Sequence, residues 1–161
     1  MATFTSSTVS SGATPSAICG PYTVQSVYGA IDLTAATADG DIYELVKLPA
    51  NSTVVGGYLM AEDLDTGTEV LDIDIGWAAN GVDAADPDGF GNLGVWTGDA
   101  VAGIKPEVGN YFPLGGVLFS AGPKTFTVPT TIQAEGNVAP NAGGTGYLWV
   151  VVHYVVANNT P

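Results

Sequence analysis

The stretch EVLDIDIGW (residues 69–77) alternates between apolar and polar side chains. A period of two indicates an antiparallel strand that is buried on one face. On the inward face we expect four core residues: Leu71, Ile73, Ile75 and Trp77. Asp72 and Asp74 fall on the opposite face, where the pattern predicts solvated carboxylates instead of a metal-binding or acid–base pair.

Comparable strand patterns recur along the chain at residues 22–33, 42–50, 53–62, 110–120, 124–136 and 146–158. Turn-rich segments separate them, and 22 of the 161 residues are glycine. Gly56 and Gly57 predict a bulge or a close backbone approach within one strand. We therefore expect seven or eight strands and an all-β fold, an antiparallel β-sandwich of jelly-roll type.

The sequence divides into an N-terminal arm and one domain that contains a long loop. Residues 1–20 are rich in Ser, Thr, Ala and Gly, which predicts a flexible N-terminal arm. Residues 21–161 are expected to form one sandwich domain with a long insertion loop at about 78–106. The last strand pattern, GYLWVVVHYVVAN (residues 146–158), is apolar on both faces, which predicts a central strand or a face in contact with another subunit.

The charge balance limits the choice of partner. Sixteen acidic residues stand against three lysines and no arginine, giving a net charge of -13. Nucleic acids and anionic membrane surfaces are therefore not expected partners. The longest apolar run, residues 147–156, is too short to span a bilayer. The single cysteine, Cys19, and a start unlike a signal peptide indicate synthesis in a reducing cytoplasm.

The sequence contains few side chains suited to catalysis. His153, the sole histidine, lies in the final apolar strand, which is typical of a core or interface residue. Cys19 has no basic neighbour that would lower its pKa. We therefore predict no catalytic residues, no cofactor and no enzymatic activity.

A weak calcium motif occurs in VDAADPDGFGN (residues 82–92), where the candidate ligands are Asp83, Asp86 and Asp88. Aligned as a calcium loop, this segment places Ala84 at the first ligand position and Val95 at the twelfth, which should be Glu. We therefore predict no metal site and interpret the segment as a turn with solvated carboxylates.

Several large side chains lie in or beside irregular segments that one thin sandwich is not expected to bury. They are candidates for a subunit interface: Phe90, Trp96, Tyr111 and Phe112. His153, on the final strand, is a further candidate. Aromatic residues are favoured interface anchors because each buries a large area at low entropic cost.

The sequence from residue 22 to 156 resembles the head decoration, or cement, proteins of tailed bacteriophages. The resemblance is carried by DIYELVKLPANSTVVGG (residues 41–57), LDIDIGW (residues 71–77) and AANGVDAADPDGFGN (residues 78–92). It implies a jelly-roll or related sandwich, often a homotrimer, that binds the major capsid protein where capsid subunits meet. It also implies location on the capsid exterior after synthesis in the host cytoplasm, and it carries over no catalytic residue.

Two other functions remain open. In a carbohydrate-binding or adhesive β-sandwich, exposed Trp77, Trp96 and Tyr111 would form a platform on which sugars stack. In a calcium-dependent enzyme, Asp72, Asp86 or Asp88 would supply the metal ligands.

Overall fold

The computed structural model describes residues 2–12, 23–96 and 110–157. These residues form an almost entirely β structure, which confirms the predicted fold class. The strands are β1 (Thr3–Thr5), β2 (Gln25–Leu33), β3 (Ile42–Leu48), β4 (Ser52–Ala61), β5 (Asp72–Trp77), β6 (Asp86–Gly91), β7 (Tyr111–Pro113), β8 (Lys124–Phe126), β9 (Thr130–Val138) and β10 (Gly146–Val156). Two helical turns accompany them, α1 (Ser7–Ser10) and α2 (Val117–Ser120).

The strands form two sheets that pack as a sandwich. Sheet A has the order β1-β3-β9-β5-β6, and sheet B has the order β2-β10-β4-β7, with β8 also paired to β4. The pairs β2·β10, β3·β9, β4·β7 and β5·β6 are antiparallel and nested along the chain. The chain thus forms one long antiparallel hairpin with its turn between β5 and β6. Successive strand pairs of this hairpin belong alternately to sheet B and sheet A. This is the jelly-roll arrangement.

The core forms between the sheets as the alternation in residues 69–77 predicts. Leu71, Ile73, Ile75 and Trp77 are each no more than 4% exposed. The Trp77 ring packs edge-on against two phenylalanines, with centroid distances of 5.0 Å to Phe90 and 5.5 Å to Phe126. Burial of each of these side chains contributes roughly 1.5–3 kcal/mol to folding.

The opposite face of β5 is covered, so the prediction of solvated carboxylates there is wrong. Asp74 is only 4% exposed and accepts hydrogen bonds from the Leu93 amide at 2.8 Å and the Asn137 side chain at 2.6 Å. After β6 the chain turns back along β5, where Val95 forms a bridge with Asp72. Strict alternation could not reveal this cover because a segment some twenty residues further along the chain supplies it.

Residues 2–12 are ordered against the sandwich and do not form the expected flexible arm. β1 pairs in parallel with the edge strand β3, and Phe4 stacks on Tyr43 with a centroid distance of 5.3 Å. The Ser6 hydroxyl caps α1 and donates to the carbonyl of Leu45. A segment too polar to build a core can still order by hydrogen bonding to an existing sheet edge. Residues 13–20 lie outside the described residues.

The segment predicted as an insertion loop, residues 78–106, contains a strand. β6 pairs with β5. The described part of the segment ends at Trp96, whose backbone amide donates to the Leu71 carbonyl at 2.9 Å. Residues 97–106 lie outside the described residues. The segment 110–120, expected as a strand, contains β7 followed by α2. Gly116 begins that turn with a φ of 55°, a value that favours glycine.

The predictions for β4 and β10 are confirmed. In β4 the register shifts so that Val55 is the extra residue of a bulge opposite His153 and Tyr154. A Cβ at Gly57 would overlap the carbonyl oxygen of Val151, so the backbones of β4 and β10 approach closely there. β10 lies between β2 and β4 and is central in sheet B. No helix in the described part of the chain is long and apolar enough to cross a membrane.

Candidate interaction surface

The outer face of sheet B is rich in aromatic and apolar side chains. Strand register places two rows across the sheet, Ala30–Trp149–Met60–Tyr111 and Tyr28–Val151–Tyr58. Tyr147 extends the surface along β10, one position beyond Trp149 on the same face. We call the following residues the aromatic face: Tyr28, Tyr58, Met60, Tyr111, Tyr147, Trp149 and Val151.

The rings of this face contact one another while remaining accessible. Tyr147 and Trp149 stack with an interplanar angle of 13° and a centroid distance of 5.7 Å. Tyr58 lies 5.3 Å from the ring of Tyr111. Tyr28, Tyr111 and Tyr147 are 53%, 51% and 42% exposed. The face is therefore a set of pre-positioned rings that costs little side-chain entropy to bury further.

The alternation of β10 explains how the face arises. Leu148, Val150, Val152 and Tyr154 point into the core and are fully buried. The outward positions of an antiparallel strand are normally polar, because one side of such a sheet faces water. In β10 these positions carry Tyr147, Trp149, Val151 and His153 instead.

Polar groups border the aromatic face on this side of sheet B. His153 shares a 2.8 Å hydrogen bond through Nδ1 with the Ser26 hydroxyl, and its ring meets Tyr58 edge-on at 6.1 Å. Partial burial, assisted by the nearby Tyr147 phenol, raises the pKa of Tyr28. The phenol of Tyr28 therefore stays uncharged at physiological pH.

The outward positions of sheet A are polar by contrast, with Glu44, Glu135 and Lys47 partly exposed and Asp74 covered. Its rows are Ile42–Glu135–Asp74, Glu44–Gln133–Gly76 and Lys47–Thr131. At the edge of the sheet, the Thr5 hydroxyl donates to the Glu44 carboxylate at 3.1 Å. The two outer faces of the sandwich thus differ in both polarity and charge.

The interface candidates from the sequence divide into two groups. Phe90 and Trp96 are at most 1% exposed, so the prediction that they anchor an interface is wrong for both. They complete the core because β6 and the following turn fold back on β5. Phe112 is partly buried against Trp96, with a centroid distance of 4.6 Å. Tyr111 belongs to the aromatic face, and His153 lies at its border.

The burial of two indoles also corrects the proposed sugar platform. Trp77 and Trp96 are 4% and 1% exposed and cannot stack on a sugar, which leaves Tyr111 alone at the surface. Sequence reasoning missed Tyr28, Tyr58, Met60, Tyr147 and Trp149 as surface residues. Apolar residues on both faces of residues 146–158 indicate that Tyr147 and Trp149 point outward from the core. The positions of Tyr28, Tyr58 and Met60 beside them follow only from strand register.

The candidate calcium ligands are bound by Lys124, by Asn80 or by one another. Asp83 accepts from Lys124 at 2.7 Å and from Asn80 at 3.1 Å, and these hydrogen bonds hold its pKa below the usual range. Burial raises the pKa of Asp86, and a hydrogen bond with Asp88 adds to the effect. Within residues 2–12, 23–96 and 110–157, no three His, Cys, Asp or Glu side chains group in a way that could hold a metal ion.

A further carboxylate that sequence reasoning missed, Asp65, is structural. It is 2% exposed and joins two loops by accepting from the amides of Val70 and Leu71 and from those of Asn141 and Ala142, at 2.9–3.3 Å. Burial alone would raise the pKa of Asp65, but these backbone donors outweigh burial and lower it. Its partners 76 and 77 residues away are invisible in the local sequence.

Comparison with known proteins identifies similar folds. No protein-family model and no curated protein matches the sequence. Among solved structures, the chain is similar to one in "Capsid of Ralstonia phage GP4", with a TM-score of 0.70, 23% identity and coverage of 98% of this chain and 99% of that chain. It is also similar to one in "Cyanophage Pam1 capsid asymmetric unit", with a TM-score of 0.60, 19% identity and coverage of 88% and 91%. The jelly-roll fold is shared with chains of these two structures.

Proposed function

We propose that this chain is a structural protein of a tailed-bacteriophage virion that binds the major capsid protein and decorates the outer surface of the shell. The observation that carries the proposal is the whole-chain similarity to a chain of the Ralstonia phage GP4 capsid, which spans 98% of one chain and 99% of the other. The sequence resemblance to decoration proteins over residues 22–156 supports the same role independently.

A structural role also fits the way the carboxylates are used. Asp65 and Asp74 bind backbone or side-chain donors inside the fold, and Asp83 is paired with Lys124. A general acid or base needs access to its substrate proton. These three carboxylates instead hold loops onto the sandwich, and we propose that the protein has no enzymatic activity.

The net charge favours the outside of the shell over the inside. Packaged DNA carries a dense array of phosphates, and a chain with a net charge of -13 would be repelled by it. On the exterior, the same charge keeps particles soluble and apart. We place the chain there as a homotrimer, in line with what the sequence resemblance implies.

Binding to intact particles tests this function. Purified particles from the source phage should contain the chain, and a protease added to intact particles should cleave it or an antibody should label it without prior disruption. The major capsid protein, measured in the same samples, serves as the internal reference for shell integrity. Absence of the chain from particles, or accessibility only after the shell is opened, would contradict the proposal.

A further inference from the structure

The aromatic face is a feature of the described surface that the proposed function leaves without a role. Its residues project from four adjacent strands of sheet B, β2, β10, β4 and β7. We propose that the aromatic face is the surface through which copies of this chain bind one another. This inference rests on the proposed homotrimer and specifies which side of the sandwich holds it together.

Charge selects a second copy as the occupant. The two rows of the face, Ala30–Trp149–Met60–Tyr111 and Tyr28–Val151–Tyr58, contain no ionisable carboxylate or amine. Among the residues that the structure describes, acidic groups come close at one end, where Asp32 lies opposite Tyr147 and Glu62 accepts from the Tyr147 amide at 2.9 Å. A neutral surface is where two chains of charge -13 can meet without opposing buried charges.

The opposite side of the sandwich is acidic and turns away in such an assembly. Glu44 and Glu135 lie on the outer face of sheet A. The two sheets are separated by about 10 Å, so in each copy these carboxylates lie on the far side of the sandwich from the aromatic face. Physiological salt screens charges beyond about 8 Å. A surface with this charge suits a basic or polar partner better than it suits another acidic chain.

The dimensions of the face predict how tightly copies bind. From Tyr147 to Val151 it extends about 14 Å along β10, and its four strands span about 14 Å. An area of these dimensions is well below the roughly 800 Å² per partner of a standard stable interface. Self-association through the face is therefore expected to depend on protein concentration.

Substitutions on the face test the proposal. Trp149→Glu and Tyr28→Glu each add a carboxylate to an outward position of sheet B without altering the core. The matched control is Phe119→Glu, which makes the same change of charge at an aromatic residue that is 84% exposed on α2, beside β6 of sheet A. Circular dichroism and melting curves establish that all three variants are folded, and sedimentation equilibrium measures association up to the solubility limit.

We expect the wild-type protein and Phe119→Glu to associate equally, and both face variants to associate at least about tenfold more weakly. A folded face variant that associates as the wild type does, or a wild-type protein that is monomeric at every concentration, would overturn the inference. A monomeric wild type that loses glycan binding on Trp149→Ala would assign the face to sugars instead. Failure of the proposed function gives a different result, namely association through the face without the chain on the particle.

Discussion

At the level of single side chains, several carboxylates accept hydrogen bonds that hold the fold together, although the sequence pattern predicts solvent-exposed positions for acidic residues. Asp74 alternates with apolar residues as a solvated carboxylate would, yet it anchors Leu93 and Asn137. Leu71, Ile73, Ile75 and Trp77 were predictable because burial on one strand face follows from local periodicity. The burial of Asp74 and the second loop bound by Asp65 were not predictable, because the residues that supply them lie 19 to 77 residues away.

Replacement of Asp65 by Asn should destabilise the protein. The amide would present an N–H group to backbone donors that now share the carboxylate. We expect the free energy of unfolding to fall by about 2–4 kcal/mol. Asp39→Asn, at an exposed position, is the control. Because the folded pKa of Asp65 is lowered, its stabilising effect is present above the ordinary aspartate pKa of about 3.9 and is lost as pH falls through the folded value.

Thermal melts of the two variants between neutral and acidic pH check this prediction. The difference between wild type and Asp65→Asn should be full at neutral pH and should narrow in acid. An Asp65→Asn variant with the melting temperature of Asp39→Asn at pH 7 would contradict the assigned role.

Replacement of Asp72 by Asn should act in the opposite direction. Burial, followed by the nearby Asp74 charge, raises the pKa of Asp72, and its Oδ1 atom is buried without a hydrogen-bond partner. The charged form therefore opposes folding above the folded pKa, and this cost disappears as pH falls and Asp72 is protonated. We expect Asp72→Asn to melt about 1–3 °C higher at pH 7 and to converge with the wild type in acid. A lower melting temperature at neutral pH would show that the carboxylate is stabilising.

At the level of strands, the sequence predicted most of the sandwich. β2, β3, β5 and β10 lie within the segments expected to be strands, and β4 and β9 extend beyond theirs by one and two residues, because each carries enough apolar residues to show its period. β1 and β6 were missed for a physical reason. Both are short and mostly polar: β1 orders by hydrogen bonding to the edge of β3, and β6 pairs with β5 and buries a single large side chain, Phe90.

Hydrogen exchange should detect β1 in the free protein. The Ser6 amide donates to the Glu44 carbonyl at 2.8 Å, and the Ile42 amide donates to Ala2 at 2.8 Å. Both amides should exchange more slowly than in an unstructured peptide. Asp41→Ala removes the acceptor of the Ala2 amide and should accelerate this exchange, whereas Thr5→Val, at an exposed side chain, should change it little. Exchange of the Ser6 amide at the rate of an unstructured peptide would contradict the pairing of β1 with β3 and would support a flexible arm instead.

At the level of the whole chain, the sandwich separates polarity between its two outer faces. Sheet A carries Glu44 and Glu135 outward, and sheet B carries the aromatic face. The overall charge was evident from composition, but its distribution was not, because it depends on which residues pair across strands.

This separation predicts an unusual response to salt. Three copies bring together 3 × -13 = -39 formal charges, which oppose association until they are screened. Apolar contact through the aromatic face does not weaken in salt. Sedimentation at low and high ionic strength should therefore show stronger self-association at high salt, with Phe119→Glu behaving as the wild type. Dissociation on adding salt would indicate an interface built from ion pairs.

A cryo-electron microscopy map of intact particles containing this chain would locate it on or within the shell. We expect jelly-roll density outside the major capsid protein, in groups of three, with the aromatic faces of sheet B turned towards one another. Density for the chain inside the shell, or isolated copies outside it with their aromatic faces in solvent, would contradict the proposed function or the proposed interface respectively.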